Sequence, residues 1–169
     1  MDNLAIMELA LHVASTSPDP STQNAAILVD SYGIPVCMGV NEFPRGVRCL
    51  EERWERPFKH YYVEHAERSV IYHAARLGIS TCGLSMISPW AACADCARAI
   101  VAAGIYTLIT LPREWEEADT SSRWKETVDV GDDILREGKV QVVFLQDPVR
   151  CVVPIRRNGH PWRPRDGKG

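Results

Sequence analysis

The chain contains no run of about 18 consecutive apolar residues, so no segment is expected to cross a membrane as a helix. It also lacks a basic leader. The opening stretch MDNLAIMELALHVAS places Asp2 and Glu8 where an export signal would carry Lys or Arg. A cytoplasmic location is therefore expected, and in that reducing compartment the six cysteines (37, 49, 82, 93, 96 and 151) read as thiols or metal ligands rather than as a disulfide framework. A basic stripe is missing as well: 19 Lys and Arg stand against 22 Asp and Glu, for a net charge of −3. A long nucleic acid requires many neutralised phosphates, whereas a mononucleotide needs one or two positive side chains in a pocket. The balance disfavours a nucleic-acid partner and favours a small ligand. There is no internal repeat and no linker, so 169 residues with 46% hydrophobic content read as one domain over residues 1–150. The rest, residues 151–169, is a basic C-terminal tail. Its IRRNGHPWRPRDGKG segment is read as a solvated end or a subunit contact.

What is present is a regular alternation of elements. Leu4, Met7, Leu11 and Ala14 follow helical spacing, and SPDPST ends that helix. AAILVD (25–30) and IPVCMGV (34–40) read as an antiparallel hairpin. From residue 41 to 63 the chain is polar, proline-bearing and aromatic, a loop long enough to imply that it covers a site. HAERSVIYHAARLG (65–78) is a helix with Gly78 at its left-handed cap, CGLSMIS (82–88) a strand, CADCARAIVAAG (93–104) a helix and IYTLIT (105–110) a strand. VDVGDDILREG is a further helix and VQVVFL (140–145) a further strand. About five strands and four helices predict an α/β fold with a mixed sheet covered by helices on both faces.

Two helix starts carry the chemistry. HAE at 65–67 and CADC at 93–96 supply His65, Cys93 and Cys96, a nitrogen and two thiolates. Three protein ligands leave a fourth position for water, which marks a catalytic rather than a structural Zn2+. Both cysteines lie in the first turn of a helix, where free N–H groups and the metal favour thiolate. Glu67 lies two residues beyond His65, points elsewhere on the turn and is placed to take a proton from the metal-activated water. A lone CxxC can also be a redox pair or half of a structural zinc site, but no second CxxC or HxxxH completes four ligands. His12, His60, His73 and His160 have no comparable context. Arg113, Arg123 and Lys125 lie beyond the strand at 105–110, on the side where the ligand-bearing helices begin. Arg123 is preferred as a phosphate anchor, since a guanidinium can bind phosphate through two hydrogen bonds. Among Trp90, Trp115 and Trp124, only Trp90 sits beside the metal ligands, and it is taken as a candidate to stack on a base.

HAE with CxxC at helix starts resembles the zinc deaminases of nucleosides, nucleotides and nucleobases. DPST (19–22), GVNEFPRGV (39–47) and ERWERPFKHYYVEHAER (52–68) narrow the resemblance to the deoxycytidylate (dCMP) deaminase family, over about residues 15–145. That resemblance implies a cytidine-deaminase-like three-layer α/β/α sandwich with a mixed five-stranded sheet. It implies hydrolytic deamination of dCMP to dUMP and ammonia, in a homo-oligomer that is often a hexamer. It also brings in dCTP and dTTP as effectors, with Mg2+ as a companion of such a nucleotide. Asn41 matches the family's pocket asparagine at the sugar or nucleotide, and Ala66, between His65 and Glu67, is placed with it at the substrate. Three positions depart from the family: Ala92 where Pro usually precedes the first cysteine, Glu42 where Gly often follows Asn41, and Ser69 where Asn is common. Two other readings share the zinc site. One takes dCTP as an additional or main substrate; the other is a deaminase of a base in tRNA or single-stranded DNA. A noncatalytic zinc module is a third, and it leaves Glu67 without a purpose.

Overall fold

A computed structural model describes residues 2–113 and 122–164. The first helix, α1 (Asn3–Ala14), is followed by the hairpin β1 (Ala25–Val29) and β2 (Pro35–Val40), a 3-10 turn at Glu51–Trp54 and a single turn, α2 (Lys59–Tyr62). Then come α3 (Ala66–Leu77), β3 (Ser85–Ile87), α4 (Ala94–Ala102), β4 (Thr107–Thr110), α5 (Ser122–Glu137), β5 (Gln141–Phe144) and a second hairpin, β6 (Ile155–Arg157) and β7 (His160–Trp162). No helix among the described residues is long and apolar enough to cross a membrane.

The five-stranded sheet has the order β2-β1-β3-β4-β5. Its β1 pairs antiparallel with both β2 and β3, whereas β3, β4 and β5 run parallel. Parallel neighbours need crossovers, and right-handed crossovers that step along one direction of the sheet lay their helices on one face. Here α4 and α5 share that face with α3, so both predicted ligand-bearing helix starts lie on the same side.

Strand β1 is buried along its whole length because its side chains feed two cores in turn. Ala26 and Leu28 join Val70, Ala74, Ala97, Ile100 and Leu135 under α3, α4 and α5. Ala25, Ile27 and Val29 join Ile6, Met7 and Leu11 of α1 on the opposite face. That second core also takes Val149, together with Ile155 and Trp162 of the tail segment that the sequence reads as a solvated end or a subunit contact. Asn158 and Gly159, at φ 52° and 82°, form the two-residue turn of the β6–β7 hairpin, a left-handed geometry that suits Asn-Gly.

The predicted α3 is matched closely, with Gly78 at φ 69° as its left-handed cap. Helix α5 begins six residues before the expected VDV, in a stretch, SRWKET, whose one apolar residue, Trp124, sets no period by itself. Strand β3 is shorter than predicted, since Thr81 to Leu84 form a turn, with Leu84 N–H donating to Thr81 O at 3.2 Å.

Candidate active site

His65 and Cys93 are the N-cap residues of α3 and α4, each with extended backbone (φ −71°, ψ 152° and φ −69°, ψ 169°) and no side-chain capping bond. Their side chains are thus left for another partner. Cys96 lies one turn into α4. The His65 Nδ1 stands 3.6 Å from Cys93 Sγ and 3.6 Å from Cys96 Sγ. An ion at about 2.3 Å from sulfur and about 2.0–2.1 Å from nitrogen in tetrahedral array requires an S···N separation of about 3.6 Å, so the donors are spaced for zinc. These three form the one group of three or more His, Cys, Asp or Glu side chains, among the described residues, whose ligand atoms lie within 4.8 Å of each other.

The charges on the cluster are mutually dependent. A hydrogen bond from Cys96 pulls the Cys93 thiol well down, against burial, and the same bond together with burial pushes Cys96 up. Burial disfavours a charged His65, but Cys93 and Glu67 outweigh it and raise its pKa. Arg68, overlooked in the sequence, sits beside both thiols. Burial opposes its charge, and Cys96, Glu64 and Cys93 more than compensate. Its Nε donates to Glu64 Oε2 at 2.6 Å, and its Nη1 lies 3.8 Å from Asp95.

Glu67 is 2% exposed, and its Oε2 has no hydrogen-bond partner. Burial raises its carboxyl above the ordinary range, the behaviour of a group that can hold and release a proton. Such an unmatched buried oxygen is costly unless a ligand, ion or water meets it.

Asn41 is held by two side-chain hydrogen bonds: Nδ2 donates to Thr22 O at 2.8 Å, and Oδ1 accepts from Ala66 N–H at 2.9 Å. It thereby satisfies a free N–H at the start of α3 and fixes the turn that presents His65 and Glu67. Ala66 itself is fully buried. Trp90 is not open for stacking. Its indole N–H donates to Gln23 O at 3.0 Å, Arg157 lies 4.3 Å over its ring and Trp162 meets it edge-on at 4.4 Å. The side chain of Arg123, in the first turn of α5, and Trp115 lie outside the described residues. Arg113 pairs with Asp132, and Lys125 pairs with Asp129.

The long loop closes on itself through Glu42 and Glu64, which exchange backbone hydrogen bonds at 3.2 and 2.9 Å. Phe43 packs on Trp54 at 4.4 Å and meets Tyr62 edge-on at 6.2 Å. Lys59 pins it to the fully buried Asp19 at 2.7 Å. Two of the departures from the family touch: Ser69 Oγ donates to Glu42 Oε1 at 2.9 Å, with His73 Nε2 3.3 Å from the same oxygen.

Residues 1–111 match the family model described as the cytidine and deoxycytidylate deaminase zinc-binding region. The chain is 33% identical over 141 residues to an uncharacterized deaminase in the luxG 3′ region of Aliivibrio fischeri, covering 82% of this chain and 89% of that protein. It is 30% identical over 122 residues to the deoxycytidylate deaminase of Homo sapiens, covering 69% of this chain and 67% of that one. Its fold is shared with the crystal structure of dCMP deaminase from the cyanophage S-TIM5 in complex with dCMP and dUMP. The TM-score there is 0.62 at 23% identity, over 83% of this chain and 94% of that one.

Proposed function

We propose that this protein, which belongs to the cytidine and deoxycytidylate deaminase zinc-binding family, hydrolyses dCMP to dUMP and ammonia. The observation that carries the reading is the placement of a buried, unmatched Glu67 carboxylate oxygen beside a His65, Cys93 and Cys96 cluster spaced for zinc. Zinc, when held there, makes water a competent nucleophile near neutral pH. The chain's own part is proton handling. Glu67 takes one proton of the water as it adds to C4 of the ring and passes it to the ring nitrogen, then takes the remaining proton of the new C4 hydroxyl and delivers it to the amine as the C4–N bond breaks and the C4 carbonyl forms. Arg68, paired with Glu64, balances the negative charge of the thiolates. Asn41 fixes the start of α3 at the sugar side of the pocket, with Ala66 beside the base.

Arg123 is assigned to the substrate phosphate. The other two cations of that region support this choice, since each already has an acidic partner on α5. Identity to a deoxycytidylate deaminase supports the nucleotide, and the acidic net charge of −3 supports a small substrate over tRNA or single-stranded DNA. The chain works as a single deaminase domain in the cytoplasm, and that domain runs past residue 150 to include the β6–β7 hairpin, whose Ile155 and Trp162 lie in its second core. Under the same reading it forms a homo-oligomer, with dCTP and dTTP as effectors. Tyr72 and Leu77 on α3 and Met38 on β2, which stay exposed in the single chain, support the assembly.

Ammonia release from deoxycytidine, cytidine, dCMP, dCTP and a cytosine oligonucleotide is the test. dCMP is expected to react at least about tenfold better than deoxycytidine, because the phosphate positions the ring. Equal efficiencies, or a preference for the oligonucleotide, would overturn the assignment. Arg123→Ala narrows the gap between dCMP and deoxycytidine if the anchor is right. Chromatographic sizing with and without dCTP tests the assembly.

A further inference from the structure

The segment between α1 and β1 reaches the active site on one side and the C-terminal hairpin on the other, and Gln23 is its hub. Gln23 is 8% exposed and uses all of its polar groups. Its side-chain Nε2 donates to Ser15 O at 3.2 Å and Ser17 O at 2.9 Å, fixing the segment to the end of α1. Its Oε1 accepts from Arg156 N–H at 2.9 Å, and its own N–H donates to Arg156 O at 2.9 Å, so it pairs with β6 like a strand residue. Its carbonyl accepts the Trp90 indole N–H, three residues before Cys93. Gly159 N–H donates to Ser21 O at 2.8 Å and Asn158 N–H to Thr22 Oγ1 at 3.4 Å, adding a second line of attachment. Thr22 O then receives Asn41 Nδ2, and Asn41 Oδ1 holds the Ala66 N–H next to His65.

Two paths therefore leave the hairpin. One runs through Gln23 and Trp90 to the start of α4, the other through Thr22 and Asn41 to the start of α3. The ligands sit at those two starts, on two separate helices, so their mutual geometry depends on whatever fixes one start against the other. We propose that the β6–β7 hairpin, clamped by Gln23, sets the relative position of the two ligand-bearing helix starts, and that Gln23 is a positioning residue for deamination. The hairpin touches no described ligand. It lies beyond residues 1–111, the part matched by the family model.

For its kinetic readout the inference rests on the proposed deamination; its spectroscopic readout does not. In the full-length protein, Gln23→Leu keeps the volume and removes the side-chain bonds. Cobalt(II) replaces zinc in tetrahedral thiolate sites, and its visible bands report ligand geometry. Gln23→Leu is expected to bind one cobalt per chain with displaced bands, and to lower kcat/KM on dCMP at least about tenfold while the far-UV spectrum stays native. A folded variant with wild-type bands and kcat/KM within about twofold overturns the proposal and leaves Gln23 a structural staple. If Gln23→Leu does not fold, Arg157→Met decides. It keeps the buried stem and removes the guanidinium over Trp90, so displaced cobalt bands support the coupling and unchanged bands overturn it. A wild-type protein inert toward dCMP, with bands that nevertheless move in the variants, would sink the substrate assignment and leave the positioning role standing.

Discussion

The two faces of the sheet are built from different materials. Under α3, α4 and α5 the core is rich in small residues, with Ala66, Ala74, Ala92, Cys93, Cys96 and Ala97 beside larger ones such as Leu28, Met86 and Leu108, and the backbones come very close. A Cβ on Gly39 would lie 2.5 Å from Val70 N and 2.9 Å from Val70 Cα, and one on Gly131 would lie 2.5 Å from Ala92 O. The opposite face is filled by Ile6, Met7, Leu11, Ile155 and Trp162. Small residues let helices seat at fixed depth on the sheet, and depth is what a metal centre shared by two helix starts requires. Large residues bury more apolar area, and that burial supports the sheet from behind. The first face sets the depth at which each helix sits; the second mainly supplies stability, apart from the hairpin's proposed link to the two helix starts.

Substitutions can break or sharpen that contrast. Glu67→Gln is expected to have the largest effect, a fall in turnover of about 10⁴-fold, the upper end for a general acid–base group. The amide keeps the volume, so metal analysis should still find about one zinc per chain, and a residual rate within about tenfold of wild type would reject the role. Leu11→Ala, at a site 1% exposed in the second core, should cost about 2–5 kcal/mol in urea unfolding. Its kcat/KM should stay within about twofold wherever the protein is folded; a parallel loss of activity would show that the faces are not separable. Gly39→Ala should cost about 3 kcal/mol or more, the upper end for overpacking because the added Cβ meets the Val70 backbone and not a yielding side chain, and it should release zinc more readily because α3 must move. Equal zinc retention in Gly39→Ala and Leu11→Ala would erase the distinction. Lys125→Ala breaks an exposed pair with Asp129 and should change stability by no more than about 0.5 kcal/mol. If it also abolished the preference for dCMP over deoxycytidine, the anchor would be Lys125 and not Arg123.

The same division explains which parts were legible in the sequence. The face bearing the site announces itself, because His, Glu and paired Cys at helix starts carry their own chemistry and the small apolar residues behind them keep a helical period. The choice of Nδ1 over Nε2 as the inward nitrogen of His65 depends on a side-chain rotation that spacing does not encode. Lys59 and Asp19 are 40 residues apart, and their pairing follows from how the long loop folds back. The opposite face was misjudged at its C-terminal end. Arg156, Arg157 and Arg163 made residues 155–169 look solvated, although Asn158-Gly159 is a strong hairpin signal in its own right. Arg157 is 6% exposed, its guanidinium lying over Trp90, and that contact joins residues far apart in the chain. It also explains why Trp90, beside the ligands in sequence, is spent on packing.

The hydrogen bond from Arg150 N–H to Glu8 Oε1 closes a separation of 142 residues. Contacts of such range form late, because a long stretch of chain must be ordered before they return any energy. During synthesis, α1 and the first strands emerge well before residues 155–162, so α1 docks on β1 while the part of that core completed by Ile155 and Trp162 is still open. A ribosome stalled after residue 150 would thus hold every proposed zinc ligand and Glu67 while the plug for the opposite face was still missing. Protease resistance of α1 should rise further once the hairpin has cleared the exit tunnel.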